Sequence, residues 1–252
     1  LLSNSRALII GNYGSGTLTV ADGGKIVVQG GIVLASNAMS AGTLNIGSPD
    51  GGGFLGGNGG GLVSVIAPTI TFGEGSGTIN FYQSDYSYST NLHALQYHPF
   101  ILSSDISGNG SLNQLQSFGT TILTGSNSYT GATTILAGSI EFSGTQSLYG
   151  GDSNHWTAAN LVVSNNATAI FTVGGANPFT AADITQLLSN ATDTNGFLSG
   201  ARLGIDTTGT NFTYGNNLTD LNGGSNALSL VALGTGTLNL TGSNSYSGYS
   251  LF

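Results

Sequence analysis

The stretch Gly119-Thr120-Thr121-Ile122-Leu123-Thr124-Gly125-Ser126-Asn127-Ser128-Tyr129-Thr130-Gly131 returns as Gly236 through Gly248, with ten of thirteen positions identical at a spacing of 117 residues. The opening of the second copy, Gly236-Thr237-Leu238-Asn239-Leu240, a Gly, a hydroxyl residue, then two apolar residues flanking a variable one, also occurs at Gly16-Thr17-Leu18-Thr19-Val20, Gly42-Thr43-Leu44-Asn45-Ile46, Gly77-Thr78-Ile79-Asn80-Phe81 and Gly138-Ser139-Ile140-Glu141-Phe142. Apolar residues two apart point to one face of a strand, and the Thr, Asn or Glu between them faces water. The pattern therefore predicts an interior of Leu18, Val20, Leu44, Ile46, Ile79, Phe81, Leu123, Ile135, Ile140, Phe142, Leu238 and Leu240. Short strands broken by Gly/Asn/Ser turns, without regular hairpin signals, suit a solenoid whose turns stack on one another. At about 4.8 Å per rung, roughly ten rungs would make a rod on the order of 50 Å long. An antiparallel sandwich is the competing topology, since alternation alone fixes no strand order.

Composition points the same way. Half of the 252 residues are Gly, Ser, Thr or Asn, and only 6% are charged against 39% hydrophobic. Disorder needs the opposite balance, and helix-favouring Lys, Arg and Glu are scarce. The net charge of −8 is offset only by Arg6, Lys25 and Arg202, so no cationic surface exists to bind nucleic acid or anionic lipid. With no Cys, stability rests on packing and ladders, not on disulfides or a thiolate zinc site. No apolar run is long enough to span a bilayer. The start, Leu1-Leu2-Ser3-Asn4, carries no initiator Met and no basic-then-apolar leader, as expected of a mature product or an excised fragment.

The segment from Thr121 through Tyr129, Thr130 and Gly131 to Ala137, Gly138 and Ile140 resembles the autotransporter passenger-associated transport repeat: leucine-threonine-glycine-x-asparagine-x-tyrosine-threonine-glycine, a threonine-rich strand, then alanine-glycine and another strand. Gly11 to Gly47 is similar to the glycine-threonine-leucine-threonine-valine repeats that accompany it in large bacterial surface proteins. The resemblance implies a right-handed parallel β-helix (β-solenoid), extracellular or on the bacterial cell surface, as part of a longer polypeptide. The second copy departs from the pattern by stopping at Leu251-Phe252.

The expected organisation is one all-β solenoid domain over 1–252 with one short helix. Repeat-like rungs occupy 1–81 and 101–175, a divergent insertion 176–226, and a final partial repeat 227–252. Within the insertion, Thr180 and Asp183 form a capping box ahead of Ile184, Leu187 and Leu188, which predicts a helix over 181–189 packed on the rod or over one of its ends. Residues 82–100 read as a strand plus an excursion.

Recognisable chemistry is sparse. His93 and His98 are five apart, which suits no helical metal pair, and Asp85 and Asp105 are their nearest acids. No Gly-x-Ser-x-Gly elbow or calcium loop occurs, and the glycine run 51–61 lacks the Lys of a phosphate loop. Five Asn-x-Thr triplets, at Asn166, Asn190, Asn211, Asn217 and Asn239, have the glycosylation pattern. Tyr82, Tyr86, Tyr88, Tyr97 and Trp156 are the candidates for stacking on glycans, although a buried Trp anchoring a loop is the plainer reading of Trp156. Leu8, Ile9, Ile10, Tyr249, Leu251 and Phe252 are candidate assembly ends, because a solenoid exposes unpaired N–H and C=O groups at its terminal rungs.

No catalytic, cofactor-binding or metal residue is assigned. The function expected is a non-catalytic structural rod or filament, assembling with itself head to tail or continuing into a longer surface polypeptide. An adhesin module for glycans is the second reading and a glycan-active enzyme the third.

Overall fold

The computed structural model describes residues 1–49, 62–84, 86–89, 94–189 and 195–252, and for 86–89 and 94–97 the backbone only. The chain enters three parallel ladders in turn. Leu2–Asn4, Leu8–Ile10 and Ser15–Val20 open them; Lys25–Val28, Ile32–Leu34 and Ala41–Ile46 pair with these in the same order, and Ser64–Ile66, Thr69–Phe72 and Ser76–Phe81 follow. Register is kept from pass to pass, with Leu8 opposite Ile32 and Ile32 opposite Ile70, and Leu18 opposite Leu44 and Leu44 opposite Ile79.

After the third pass the antiparallel pair Tyr86–Ser89 and Ala94–Tyr97 interrupts the order. Parallel pairing resumes with Phe100–Leu102, Asp105–Gly108 and Gly110–Gln114, then Thr120–Leu123, Ser128–Tyr129 and Thr133–Ile135. The longest ladder has seven strands, ending Ser139–Phe142, Thr168–Thr172, Ala201–Asp206, Leu228–Leu233 and Ser250–Leu251. The protein is thus all-β and mostly parallel, in several separate sheets that do not close on themselves.

The alternation of the repeat places the core. Val20, Leu44, Ile46, Ile79, Phe81, Leu123, Ile135, Ile140 and Phe142 are buried as expected, each contributing about 1.5 to 3 kcal/mol. Leu18, Leu238 and Leu240 are only half-buried; their strands, Ser15–Val20 and Leu238–Leu240, stand at ladder edges with a neighbour on one side, and on the first of them only Val20 is buried. Equivalent residues stack: Phe142 and Phe171 lie opposite each other, with ring centroids 5.8 Å apart and planes 18° from parallel.

On the outward side of the Gly16-type strands, amides form a ladder. Asn113 donates to Asn80 (2.9 Å), Asn80 to Asn45 (3.0 Å) and Asn45 to the Thr19 hydroxyl (3.1 Å).

One interior row breaks the apolar rule. Gln114 lies opposite Phe81 and Ile135 and is fully buried. Its Oε1 accepts from the Thr121 hydroxyl (2.8 Å), which in turn accepts from Gln83 Nε2 (2.9 Å), and Gln114 Nε2 donates to the Gly119 carbonyl (3.2 Å). A polar group at that depth is tolerated because it is bonded.

Among the described residues the one α-helix is Ala181–Ser189. The capping box forms: Thr180 N–H donates to Asp183 Oδ2 (2.8 Å) and Asp183 N–H to Thr180 Oγ1 (3.3 Å). Ile184, Leu187 and Leu188 are buried. The helix lies alongside the ladders: Gln186 Nε2 donates to the Ser153 carbonyl, and Thr185 Oγ1 lies 3.0 Å from the Tyr214 hydroxyl.

Candidate functional site

The two copies of the repeat make the same contacts with the pass before them. Thr124 N–H donates to the Leu102 carbonyl (3.1 Å) and Thr241 N–H to that of Tyr214 (3.0 Å). Next comes a glycine in each copy. A Cβ added at Gly125 would lie 2.1 Å from the Ser104 carbonyl oxygen, and one at Gly242 2.3 Å from that of Asn216, so only glycine allows the approach.

The following two residues form a reciprocal clamp. Ser126 N–H donates to Asp105 Oδ1 (2.7 Å) while Asn127 Oδ1 accepts from Ile106 N–H (3.0 Å). In the second copy Ser243 N–H donates to Asn217 Oδ1 (2.7 Å) and Asn244 Oδ1 accepts from Leu218 N–H (2.9 Å). The tyrosine hydroxyl then pairs with a hydroxyl four residues on, Tyr129 with Thr133 at 2.6 Å and Tyr246 with Ser250. The motif is a device for fastening one pass to the last.

Surroundings separate the copies. Asn127 and Tyr129 are fully buried, and Asn127 Nδ2 also donates to the Ser147 carbonyl (3.0 Å). Burial and the nearby Tyr149 push the Tyr129 hydroxyl well above its ordinary pKa. Burial also raises Tyr149 to about 12, against the bonds from Thr133. Both therefore stay neutral donors within a hydroxyl cluster in which Tyr149 also donates to the Asn160 carbonyl (2.6 Å). The second copy is exposed at Asn244 and half-buried at Tyr246. Asp220 anchors it, with Oδ1 accepting from Ser247 N–H (2.8 Å) and Leu228 N–H (3.0 Å). Burial pulls its carboxyl upward, but these donors outweigh it and hold the pKa below the usual range.

Of the residues marked as glycan-stacking candidates, Trp156 is taken up by the core. Trp156 is 2% exposed, donates from Nε1 to the Leu148 carbonyl (3.1 Å) and packs on Phe179 with ring centroids 5.7 Å apart. It offers no face to a sugar, because the short helical turns at 145–155 fold its ring into the core. Tyr82 is half-buried. Tyr86, Tyr88 and Tyr97 lie on the antiparallel pair, and their side chains are outside the described residues. His93, Asp85 and the glycine run 51–61 also lie outside them. His155 Nδ1 pairs with Asp152 Oδ2 at 3.1 Å on the surface.

Of the candidate assembly ends, Ile10 is a core residue at 6% exposure, because it stacks opposite Leu34, and Leu8 is half-buried beside it. Ile9, Leu251 and Phe252 are exposed, and Tyr249 lies under the Arg202 guanidinium, 5.2 Å from ring centroid to Cζ. Three glycosylation-type asparagines serve as acceptors: Asn166 from Arg202, Asn211 from Thr237 N–H and Asn217 from Ser243 N–H. Asn190 lies outside the described residues.

Two contacts have no signature in the sequence. Glu141 and Asp206, 65 residues apart, meet on the outward side of the seven-stranded ladder, where the Thr172 hydroxyl donates to Glu141 Oε1 (3.1 Å). Burial first, and then the Asp206 charge, raises the Glu141 pKa to about 7. The register that joins Ser139–Phe142 to Thr168–Thr172 and then to Ala201–Asp206 brings them together, and no local spacing encodes it. The second is the pairing of Asp105-Ile106 and Asn217-Leu218 with their repeats, two dipeptides that share only the short acceptor side chain.

Among the described residues no group of three or more His, Asp or Glu could hold a metal ion, and no helix is long and apolar enough to cross a membrane. No curated protein and no solved structure matches the chain. The family model of the passenger-associated-transport-repeat matches it twice, over residues 118–141 and 230–249, so the segments whose Gly, Ser, Asn and Tyr fasten one pass to the last are similar to that repeat.

Proposed function

We propose that the chain is a surface-displayed, extracellular passenger segment with a non-catalytic structural role, wound as a right-handed β-solenoid. The observation that carries this is the equivalent clamp in both matched repeats, each binding its segment to the preceding pass. Successive strands entering three ladders in turn support the solenoid. Parallel crossovers within a sheet are almost always right-handed, which supplies the hand. The buried Trp156 and the clamped Asp105 and Asn217 favour a scaffold over an adhesin or an enzyme, since these three side chains are used to hold the stack.

Self-association is part of the same proposal. Leu2–Asn4, Leu8–Ile10 and Ser15–Val20 each stand at a ladder edge with no partner on one side among the described residues, and such an edge templates another strand. The strand added there comes from a second copy of this chain, in a non-closing contact that leads to filaments, or from further parts of a longer surface polypeptide.

A glycan array with a reducing-sugar assay, run beside light scattering on the 252-residue chain, tests the reading. Absence of binding and turnover together with concentration-dependent growth is the expected result. Turnover of a glycan that tracks the folded chain would overturn the structural role, and a monomer at all concentrations would overturn the self-association.

A further inference from the structure

Of the five Asn-x-Thr triplets, all but the one at Asn190 lie among the described residues. A sugar can be joined to the asparagine Nδ2 only where the amide can turn into the site of a transferase with the hydroxyl two residues on beside it. At three positions the fold already engages the amide. Asn166 Oδ1 accepts from the Arg202 guanidinium (3.0 Å), and Thr168, two residues on, is buried at 5% exposure. Asn211 Oδ1 accepts from Thr237 N–H (2.8 Å) and Asn217 Oδ1 from Ser243 N–H (2.7 Å), so turning either amide breaks a bond between passes. The serine form occurs at Asn109-Gly110-Ser111, where Asn109 sits on the bend before the strand Gly110–Gln114 and Ser111 is half-buried. A Cβ on Gly110 would lie 2.1 Å from the Phe72 ring, so that bend has no room to rearrange.

Asn239 differs from all of these. It is the middle residue of the strand Leu238–Leu240, whose two leucines pack against the core, and this leaves the Asn239 side chain on the outward face. It is exposed and has no hydrogen-bond partner among the described residues. Its register partner is the small, exposed Thr213. Thr241 N–H donates to the Tyr214 carbonyl (3.0 Å), which carries the ladder past the strand, and residues two apart share a face. Thr241 is exposed too, so the amide and the hydroxyl stand side by side on an open surface. The strand is at a ladder edge, where local opening costs least. In the first copy of the repeat the equivalent residue is Ile122, so the second copy alone has the site.

We propose that Asn239 is an acceptor site for N-linked glycosylation, singled out by the fold from Asn109, Asn166, Asn211 and Asn217. The donor is a sugar activated as a diphosphate ester of a nucleotide or a lipid. Asn239 Nδ2 attacks the anomeric carbon; the N–C bond forms, the bond from that carbon to the diphosphate oxygen breaks, and the diphosphate leaves with the electron pair while one Nδ2 proton passes to a base of the transferase. A glycan there projects from the outward face and leaves the clamps made by Asn217 and Asn244 in place. The site is independent of the structural role, which neither requires nor forbids it.

The test uses the folded 252-residue chain carrying Asn190→Gln, because residue 190 lies outside the described residues. One arm supplies a soluble N-glycosyltransferase with UDP-glucose, the other an oligosaccharyltransferase with a lipid-diphosphate oligosaccharide, and a short unstructured Asn-x-Thr peptide verifies that each enzyme is active. Peptide mapping by mass spectrometry should find the sugar on Asn239 in at least one arm, which also identifies the donor. Asn166, Asn211 and Asn217 should be modified more slowly by about fivefold or more, the factor expected when a hydrogen bond must open first. Asn239→Gln should abolish the fast modification and leave the melting temperature unchanged. An unmodified Asn239 in both arms, or a folded-state rate at Asn109, Asn166, Asn211 or Asn217 equal to that at Asn239, overturns the proposal.

Discussion

Replacing Asn127 with Ala should destabilise the protein far more than the same change at Asn244, although the two residues occupy the same place in the repeat. Asn127 is fully buried and serves two backbone groups, accepting from Ile106 N–H and donating to the Ser147 carbonyl. Alanine leaves both without a partner in a place that water does not reach, at roughly 1 to 3 kcal/mol for each orphaned group, so about 2 to 6 kcal/mol in all. Asn244 is exposed and its clamp is one bond to Leu218 N–H, so its loss should cost about 1 kcal/mol.

Urea unfolding followed by circular dichroism converts these into midpoints. With a slope near 3 kcal/mol/M for a chain of this size, Asn127→Ala should lower the midpoint by about 0.7 to 2 M and Asn244→Ala by about 0.3 M. Hydrogen exchange adds a local reading: the Ile106 amide should lose protection in Asn127→Ala and keep it in Asn244→Ala. Equal midpoint shifts, or an Ile106 amide still protected in Asn127→Ala, would refute the clamp as the source of the difference.

Gly125→Ala should cost several kcal/mol, because the Ser104 carbonyl stands where the methyl must go, while Gly14→Ala, with nothing within 4 Å, should change the melting temperature little. Stability should depend on pH through Glu141. Its folded pKa of about 7 lies above its ordinary 4.5, so the folded state holds the proton more tightly, and stability rises as the pH falls from 7 toward 4.5, by about 3 kcal/mol at most. Glu141→Gln should flatten that rise; an unchanged pH profile in the variant would rule the pair out as its cause. Asp220, held low, acts in the opposite sense, its contribution being lost only as the pH drops below the ordinary carboxylate range. Trp156 is the single tryptophan, so fluorescence reports on it alone; its emission should be blue-shifted, poorly quenched by iodide and unmoved by any glycan, and strong quenching would contradict its burial.

What could be read from the sequence was what repeats or follows a local period. The Gly-hydroxyl-apolar pattern located the core strands, and Thr180 with Asp183 located the helix to the residue, because both signals lie within a few positions of the structure they cause. What could not be read depends on how passes stack. Asn127 stood out as part of a motif, but its partner Ile106 lies 21 residues back in a strand of no special composition. Glu141 and Asp206 are neighbours only once the ladder's register is known. Trp156 could be read either as a stacking face or, more plainly, as the buried anchor of a loop, and the tight turns formed by its Gly, Asp, Ser and Asn neighbours do bury it. Leu18 shows the converse: its pattern is ideal, yet on an edge strand it is only half-buried, although Val20 two residues on is buried.

The central claim is that the chain passes repeatedly through the same parallel ladders in fixed register, and the absence of native cysteine allows a direct measurement. Thr43 and Thr78 are register partners on adjacent strands, and Ser111 is the partner of Thr78 one strand further on. Cysteines at 43 and 78 would sit about 4.8 Å apart at Cα, within disulfide range, whereas 43 and 111 would be about 10 Å apart, beyond it. Mass spectrometry of the oxidised, monomeric double variants should find the disulfide in Thr43→Cys/Thr78→Cys and none in Thr43→Cys/Ser111→Cys. A disulfide in the second variant but not the first, or in neither, would contradict the parallel stack.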